Sequence, residues 1–284
     1  MGHGGRHAGR REGVNGASAR PVVTRRARTR ADASLAYDVR GRGVPLLALH
    51  GAYSARGEVR GFLEPMLEEL PVRRIYVDLP GHGDSRPSEG VDGAEGVFDL
   101  VDRLLQEEGI GGRFLLLGHS VGGLVARAMA ARYSDRVAGL ALLCPYLDGP
   151  QRPAQASVVR DDGVSGDLDP DQRDAYEGYF VVRTAETLAR FRAAVAPASG
   201  AVDDAVFERA LDALDADAGV IEAPVLVACG RQDGWVGWER QQELGTVYPR
   251  ATVVTVADAG HALPHERPAL VAALLADWLA QVGV

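Results

Sequence analysis

Lysine is missing altogether: all 31 basic residues of this 284-residue chain are arginine, set against 39 acids for a net charge of −8. Such uniform usage reads as coding bias rather than as function. Cysteine is almost as scarce. Cys144 and Cys229 are the only two, which excludes a disulfide framework and fits a reducing cytosol. Both fall in apolar stretches that read as interior strands, so buried free thiols are expected. No apolar run approaches the roughly 18 residues that a membrane span needs, and no membrane association is expected. The first twenty residues, rich in glycine, arginine and histidine, lack the apolar segment of a secretory signal. They read as a disordered leader. Residues 1–30 hold eight arginines against one acid, Glu12, so the remaining body is strongly acidic. An acidic body argues against nucleic acid as the ligand. What is present is enough apolar material, 46% of residues, to bury the core of one large α/β domain.

The apolar material is arranged in a repeating rhythm. Val22 to Arg28 and Leu35 to Val39 read as an antiparallel strand pair joined near Ala31-Asp32. Leu46 to Leu49 is a short apolar strand ending in His50-Gly51. Glu58 to Leu70 carries Val59, Phe62, Met66 and Leu70 at helical spacing, and Arg74 to Leu79 is the next strand. Gly96 to Glu108 is helical by period, then come the strand Phe114 to Leu117, a helix over 123–133, and the strand Ala138 to Cys144. Wholly apolar strands alternating with amphipathic helices indicate a parallel sheet covered on both faces. From about Asp148 to Glu222 the chain turns polar and proline-rich, with no convincing strand. Two helical patterns stand out there, Ala185 to Val195 and Asp203 to Leu214. Seventy-odd residues of bare loop are improbable in a compact domain, so this segment reads as a helical insertion. The alternation resumes with Val225 to Cys229, a helix near Glu239 to Leu244, the strand Thr252 to Val256 and a closing helix, Pro268 to Val282.

Gly118-His119-Ser120-Val121-Gly122 sits between a strand and a helix, the context that a G-x-S-x-G nucleophile turn requires. A serine hydroxyl needs a base, a histidine is the usual one, and that histidine needs a carboxylate to fix its tautomer. Reactive groups in open α/β sheets collect just past the carboxyl ends of the strands. Asp233 stands there in Gly230-Arg231-Gln232-Asp233, and His261 in Ala259-Gly260-His261. Ser120, Asp233 and His261 are therefore the candidate catalytic residues, with Asp148, past the sixth strand, as a rival acid. An oxyanion hole needs two backbone N–H donors. Val121, after the serine, and Ala52, in the turn after the third strand, are expected to supply them. Tyr53 is placed at the mouth of the site, His50 as an anchor of its loop, and His119 behind the serine.

His50-Gly51, Asp78-Leu79-Pro80-Gly81-His82-Gly83-Asp84-Ser85, Gly118-His119-Ser120-Val121-Gly122-Gly123, Gly230-Arg231-Gln232-Asp233 and Gly260-His261 together resemble the successive signatures of the α/β-hydrolase superfamily. The likeness spans roughly residues 22–284 and is strongest to its lidded branch of small-molecule esterases, proline iminopeptidases and carbon–carbon bond hydrolases. It implies an α/β-hydrolase fold: a mostly parallel eight-stranded sheet flanked by helices, residues 21–147 and 223–284 forming the core and 148–222 a helical cap. It implies a structural role for Asp78 to Ser85, with Asp84 and Ser85 capping local backbone, and leaves His265 and Glu266 to open the last helix. Tyr176, Tyr179 and Phe180 of the cap, with Trp235, are candidates to line a substrate pocket, and Arg183 and Arg231 to meet an anionic substrate group. The implied activity is metal-independent, cofactor-free serine hydrolysis of a small ester, thioester or amide through an acyl-enzyme. A carbon–carbon bond hydrolase of vinylogous diketones uses the same residues, and a hydrolase-like small-molecule sensor is the alternative from another class.

Overall fold

The computed structural model describes Met1 and residues 24–28, 33–85, 91, 93–200, 202–211, 214 and 219–284. The expected leader beyond Met1, the start of the first strand at Val22 and the turn at Ala31-Asp32 lie outside the described residues. The chain opens with β1 (Arg25–Arg28), β2 (Ser34–Arg40), β3 (Val44–Leu49), α1 (Arg56–Leu67) and β4 (Val72–Val77). It continues through α2 (Gly93–Glu107), β5 (Phe114–His119), α3 (Val121–Arg132) and β6 (Val137–Leu143). After β6 it leaves the main sheet. A two-residue strand, β7 (Arg160–Asp161), is followed by α4 (Pro170–Tyr179), β8 (Val182–Arg183) and α5 (Ala185–Arg190). A π-helical turn over Phe191–Val195 runs into α6 (Ala196–Ala198), and α7 spans Asp204–Leu211. The main sheet resumes with β9 (Val225–Gly230), α8 (Glu239–Val247), β10 (Ala251–Val256), α9 (Leu263–Glu266) and α10 (Pro268–Val282).

Eight strands form one sheet in the order β1-β2-β4-β3-β5-β6-β9-β10. The β1–β2 and β2–β4 pairs are antiparallel and all the others parallel. Side-chain alternation sends successive residues of each strand to opposite faces, and both faces are covered, which explains why the strands are apolar throughout. Leu47, Leu49, Phe114 and Leu116 join one core with α2 and α3, while Leu46, Ala48, Leu115 and Leu117 join another with α1 and α10. In α2 the buried residues Val97, Leu100, Val101, Leu104 and Leu105 repeat at the helical period that the sequence shows. Each fully buried Leu or Phe contributes about 1.5–3 kcal/mol of transfer free energy.

Between β6 and β9 the sequence expectation was incomplete. α4, capped by the Asp169 side chain on Gln172 N–H with proline in the first turn, is an additional helix. β7 and β8 pair in a minimal parallel sheet where no strand was expected. The expected helix over 203–214 is described as α7, ending at Leu211. Tyr176, Phe180, Leu188, Phe191 and Val195 form a small core of their own, packed with Leu168 and Ala262. The segment also lies against α1, α2 and α9 of the main domain. Among the described residues no helix is long and apolar enough to cross a membrane.

Candidate active site

The carboxyl ends of β3, β5, β6, β9 and β10 meet at one end of the sheet, and five sharp turns bring the chemistry there. At the end of β5, Ser120 is held at φ 53°, ψ −123°, a left-handed region that costs a non-glycine residue about 1–3 kcal/mol. The surroundings enforce it: Ser120 N–H donates to Leu143 O (3.1 Å), and Ser120 O accepts from Gly123 and Tyr146 N–H (2.8 Å each). The flanking glycines are a steric necessity. A β-carbon on Gly122 would fall 2.5 Å from the carbonyl oxygens of both Leu49 and His50, and one on Gly123 would fall 2.7 Å from Pro145 Cβ. Strand and helix thus pass close enough to present the serine at the turn's apex.

After β9, Asp233 is fully buried. Its Oδ1 accepts from Trp235 N–H (2.9 Å) and Val236 N–H (3.0 Å), and its Oδ2 accepts from His261 Nδ1–H (2.8 Å). Burial pushes this carboxyl up, but His261 and the two backbone N–H groups outweigh it and hold Asp233 below the ordinary carboxylate range. A carboxylate only accepts, so the bond fixes the proton of His261 on Nδ1 and leaves Nε2 as a lone-pair acceptor. Trp235 lies flat on the imidazole, with centroids 5.6 Å apart and planes 4° apart. Its indole N–H donates to Gly178 O (2.9 Å). Asp148, the rival acid, is exposed and accepts only from its neighbour Gly149 N–H.

Two neutral histidines set the turn after β3. His50 Nδ1–H donates to Gly51 O (2.7 Å), and its Nε2 accepts from Leu79 N–H (2.9 Å). Burial, with His82 nearby, lowers His50 to a pKa of about 3. His82 donates from Nδ1 to Pro80 O (3.1 Å) and accepts at Nε2 from Tyr53 N–H (3.2 Å). In the same loop Asp78 accepts from the N–H groups of Arg56 and Asp84, and Ser85 Oγ bridges Asp78 O and Ala36 N–H. The turn carrying Ala52 is therefore fixed from both sides. Val121 opens α3, so its N–H has no acceptor within the helix.

A cavity of about 340 Å³ joins these parts. Ser120 and His261 both line it, with Gly51, Ala52, Tyr53, Glu58, His119, Tyr179 and Trp235. Tyr176 and Phe180 do not: both are fully buried in the small core between β6 and β9, and Tyr176 Oη is hydrogen-bonded to Thr187 Oγ1 (2.8 Å). Those two sit four residues apart on one side of the helix end, which faces that core, whereas Tyr179 packs at the edge of the core and lines the cavity. Arg183 and Arg231 do not reach it either. Arg183 is tied to Asp161 and Glu177, and Arg231 lies over the Trp238 ring, 4.7 Å from its centroid. His119 donates from Nε2 to His261 O (3.1 Å), and its Nδ1 is buried without a hydrogen-bond partner.

Two residues gain roles that the sequence reading did not give them. Glu266 does more than open a helix: its carboxylate accepts from Gly260 N–H (2.7 Å), Val181 N–H (2.7 Å) and Val182 N–H (3.1 Å). It thereby clamps the turn that carries His261 to the segment between β6 and β9. Glu58 accepts from Ser54 Oγ–H and from Tyr179 Oη–H (2.8 Å) beneath the cavity. One set of metal-ligand types also meets here, since Cys144 Sγ, Asp233 and His261 offer atoms within 4.8 Å of one another. Burial pushes the Cys144 thiol well above its ordinary pKa. It stays protonated, a poor ligand, and Asp233 Oδ2 is already bonded to His261 Nδ1.

Comparison with known proteins agrees with the architecture. The model of the alpha/beta hydrolase family matches residues 46–274. The chain belongs to the alpha/beta hydrolase family and is a hydrolase enzyme. It is 28% identical over 269 residues to the pimeloyl-(acyl-carrier protein) methyl ester esterase of Shewanella sp. strain MR-7, covering 86% of this chain and 94% of that one. Among solved structures it is similar to a thermophilic esterase from Thermogutta terrifontis, at 26% identity and a TM-score of 0.65, over 93% of this chain and 100% of that one. It also shares its fold with an alpha/beta superfamily hydrolase from Oenococcus oeni, at 22% identity, a TM-score of 0.79, and 92% and 100% coverage.

Proposed function

We propose that this chain is a metal-independent serine hydrolase that cleaves small carboxylic esters through an acyl-enzyme, beneath a cap formed by residues 148–222. The observation that carries the proposal is the 2.8 Å bond from His261 Nδ1 to a buried Asp233, in a cavity that Ser120 shares from a strained strand-to-helix turn. In the forward step His261 Nε2 takes the Ser120 hydroxyl proton as Oγ bonds the ester carbonyl carbon. The carbonyl electron pair moves onto oxygen, facing the N–H groups of Ala52 and Val121. Collapse expels the alcohol, which leaves with the proton held on His261. Water, deprotonated by the same nitrogen, then attacks the acyl-enzyme and releases the carboxylic acid with Ser120 restored. Asp233 stabilises the imidazolium formed in each half-reaction. The activity of the Shewanella relative makes methyl esters of medium-length acyl chains the first substrates to test. A cytoplasmic site of action belongs to the same proposal and is supported by two cysteines that are both buried and unpaired.

The test is labelling with a fluorophosphonate followed by peptide mapping. The adduct is expected on Ser120, and Ser120→Ala is expected to lose both the adduct and ester turnover. Turnover by Ser120→Ala at the wild-type rate refutes the proposal.

A further inference from the structure

Trp235 lines the cavity and is 53% exposed. A solitary exposed apolar side chain is ordinary, but this one is fixed at three points. Its backbone N–H donates to Asp233 Oδ1 and its indole N–H to Gly178 O in the last turn of α4, both at 2.9 Å. The Tyr179 ring meets it at 65°, with centroids 5.8 Å apart. Held in this way, the indole lies parallel to the His261 imidazole, with 4° between the planes and 5.6 Å between the centroids. That separation is within the range of offset-stacked rings.

His261 is 4% exposed, so charge arising on its ring is screened little by solvent. The titratable groups around it act from other directions. Asp233 Oδ2 is bonded at the ring edge, on Nδ1, and is an anion both before and after the ring gains a proton. His119, neutral through burial, lies 5.1 Å away at 46° and donates to the His261 carbonyl oxygen rather than to the ring. The Cys144 thiol is protonated. The Glu266 carboxylate is bonded to Gly260 N–H, and the Tyr179 ring crosses at 67°, 6.0 Å away, with its hydroxyl on Glu58. What changes when Ser120 is activated is the charge of the imidazole itself, and Trp235 is the ring stacked on it. An indole face carries the negative part of a π quadrupole and attracts a cation within about 6 Å of its centroid, more strongly than Tyr or Phe does. A neutral imidazole gains only the stacking.

We propose that Trp235 is a positioning residue for catalysis: it holds the His261 ring by its face and, through the indole quadrupole, favours the imidazolium that forms when Ser120 gives up its proton. The inference deepens the serine-hydrolase reading and rests on it for the effect on rate, though not for the contact itself.

Two measurements on the full chain separate the claims. The first follows tryptophan emission of the wild type as pH falls from about 8 to about 5, the range in which an imidazole gains its proton. An imidazolium accepts an electron from an excited indole more readily than the neutral ring does, and so quenches it. A stepwise loss of emission is expected, and Trp235→Phe is expected to abolish it, since Trp238 lies under Arg231 and Trp278 is buried in the core. No step in the wild type, which needs no variant to fold, or a step that survives Trp235→Phe, overturns the inference. The second measurement compares kcat and the pH profile of kcat/KM on p-nitrophenyl acetate for the wild type, Trp235→Phe and Trp235→Leu. Both variants lose the bond to Gly178 O, so the difference between them reads the aromatic face alone. Trp235→Leu is expected to lose about tenfold in kcat and Trp235→Phe about threefold. A cation stripped of its aromatic partner gives up its proton more readily. The low-pH limb of kcat/KM is therefore expected to move to lower pH, by about one unit in Trp235→Leu and about half a unit in Trp235→Phe. Equal losses in the two variants, with the limb unmoved, overturn the inference. Absence of turnover in the wild type tells against the hydrolase reading, and the emission titration still decides the contact.

Discussion

Replacing Asp233 by asparagine isolates one proton from everything else the residue does. The side chain has two separable duties: Oδ1 caps the N–H groups of Trp235 and Val236, and Oδ2 receives the proton of His261 Nδ1. An asparagine that keeps its carbonyl on the two backbone donors must turn its NH2 toward His261. Nδ1 then becomes the acceptor, the ring proton moves to Nε2, and the imidazole faces the cavity unable to take a proton from Ser120. The expected loss is about 10⁴-fold in kcat, the size that follows when a triad carboxylate becomes its amide. That corresponds to about 5.5 kcal/mol of transition-state stabilisation. Stability should change little, because both backbone caps survive. Asp233→Ala, by contrast, strands two buried N–H groups at about 1–3 kcal/mol each and confounds folding with chemistry. The assay is kcat on p-nitrophenyl acetate at pH 7, with a thermal melt alongside. An Asp233→Asn protein within tenfold of wild type, with an unchanged melt, would refute the assigned tautomer logic.

Three further expectations follow from the same geometry. Gly122→Ala drives a β-carbon to 2.5 Å from two carbonyl oxygens that cannot retreat without moving β3. We expect a loss of about 3 kcal/mol, read as a lower midpoint in urea with unchanged m. Glu266→Gln must present an NH2 group to backbone N–H donors at one end of the clamp. It should lower kcat by about tenfold, a cost of about 1.4 kcal/mol, with KM nearly constant, and a KM effect alone would argue against the clamp. The pH dependence of stability has a definite sign. His50 at about 3 and His119 at about 4 are depressed below the unfolded value of about 6.5. The unfolded chain therefore binds protons that the folded one refuses, and stability falls as pH drops below about 6.5. Between pH 6.5 and 5 the slope should approach two protons for these residues, and a flat melting profile there would contradict their burial in neutral form.

How much of this could be read from the sequence depended on distance along the chain. The turn at Ser120 was legible because its requirements are local: an apolar strand, two glycines and a helix within twenty residues. The positions of Asp233 and His261 were legible because each stands in the turn that follows a strand, β9 or β10, so strand-end placement sufficed. The clamp at Glu266 was not, since it joins Gly260 to Val181 and Val182 through backbone donors that leave no trace in side-chain pattern. α4 was missed for a different reason. Its buried face amounts to Tyr176 alone, too little to show a period, although Asp169-Pro170 is a recognisable start. The assignment of Tyr176 and Phe180 to the pocket failed because the count of aromatics says nothing about helix rotation. Positions 176 and 180 are buried within the small core, whereas 179 packs at its edge and also lines the cavity.

Both sulfhydryls, at 144 and 229, have no contact with solvent, and the first is wedged between the carboxylate of Asp233 and the carbonyl of Gly260. An alkylating reagent added to the native molecule thus meets nothing to modify until the end of the sheet parts. The rate at which mass is gained at each sulfur becomes a clock for local opening, and the one at 144 ticks only when the turn bearing His261 lifts away.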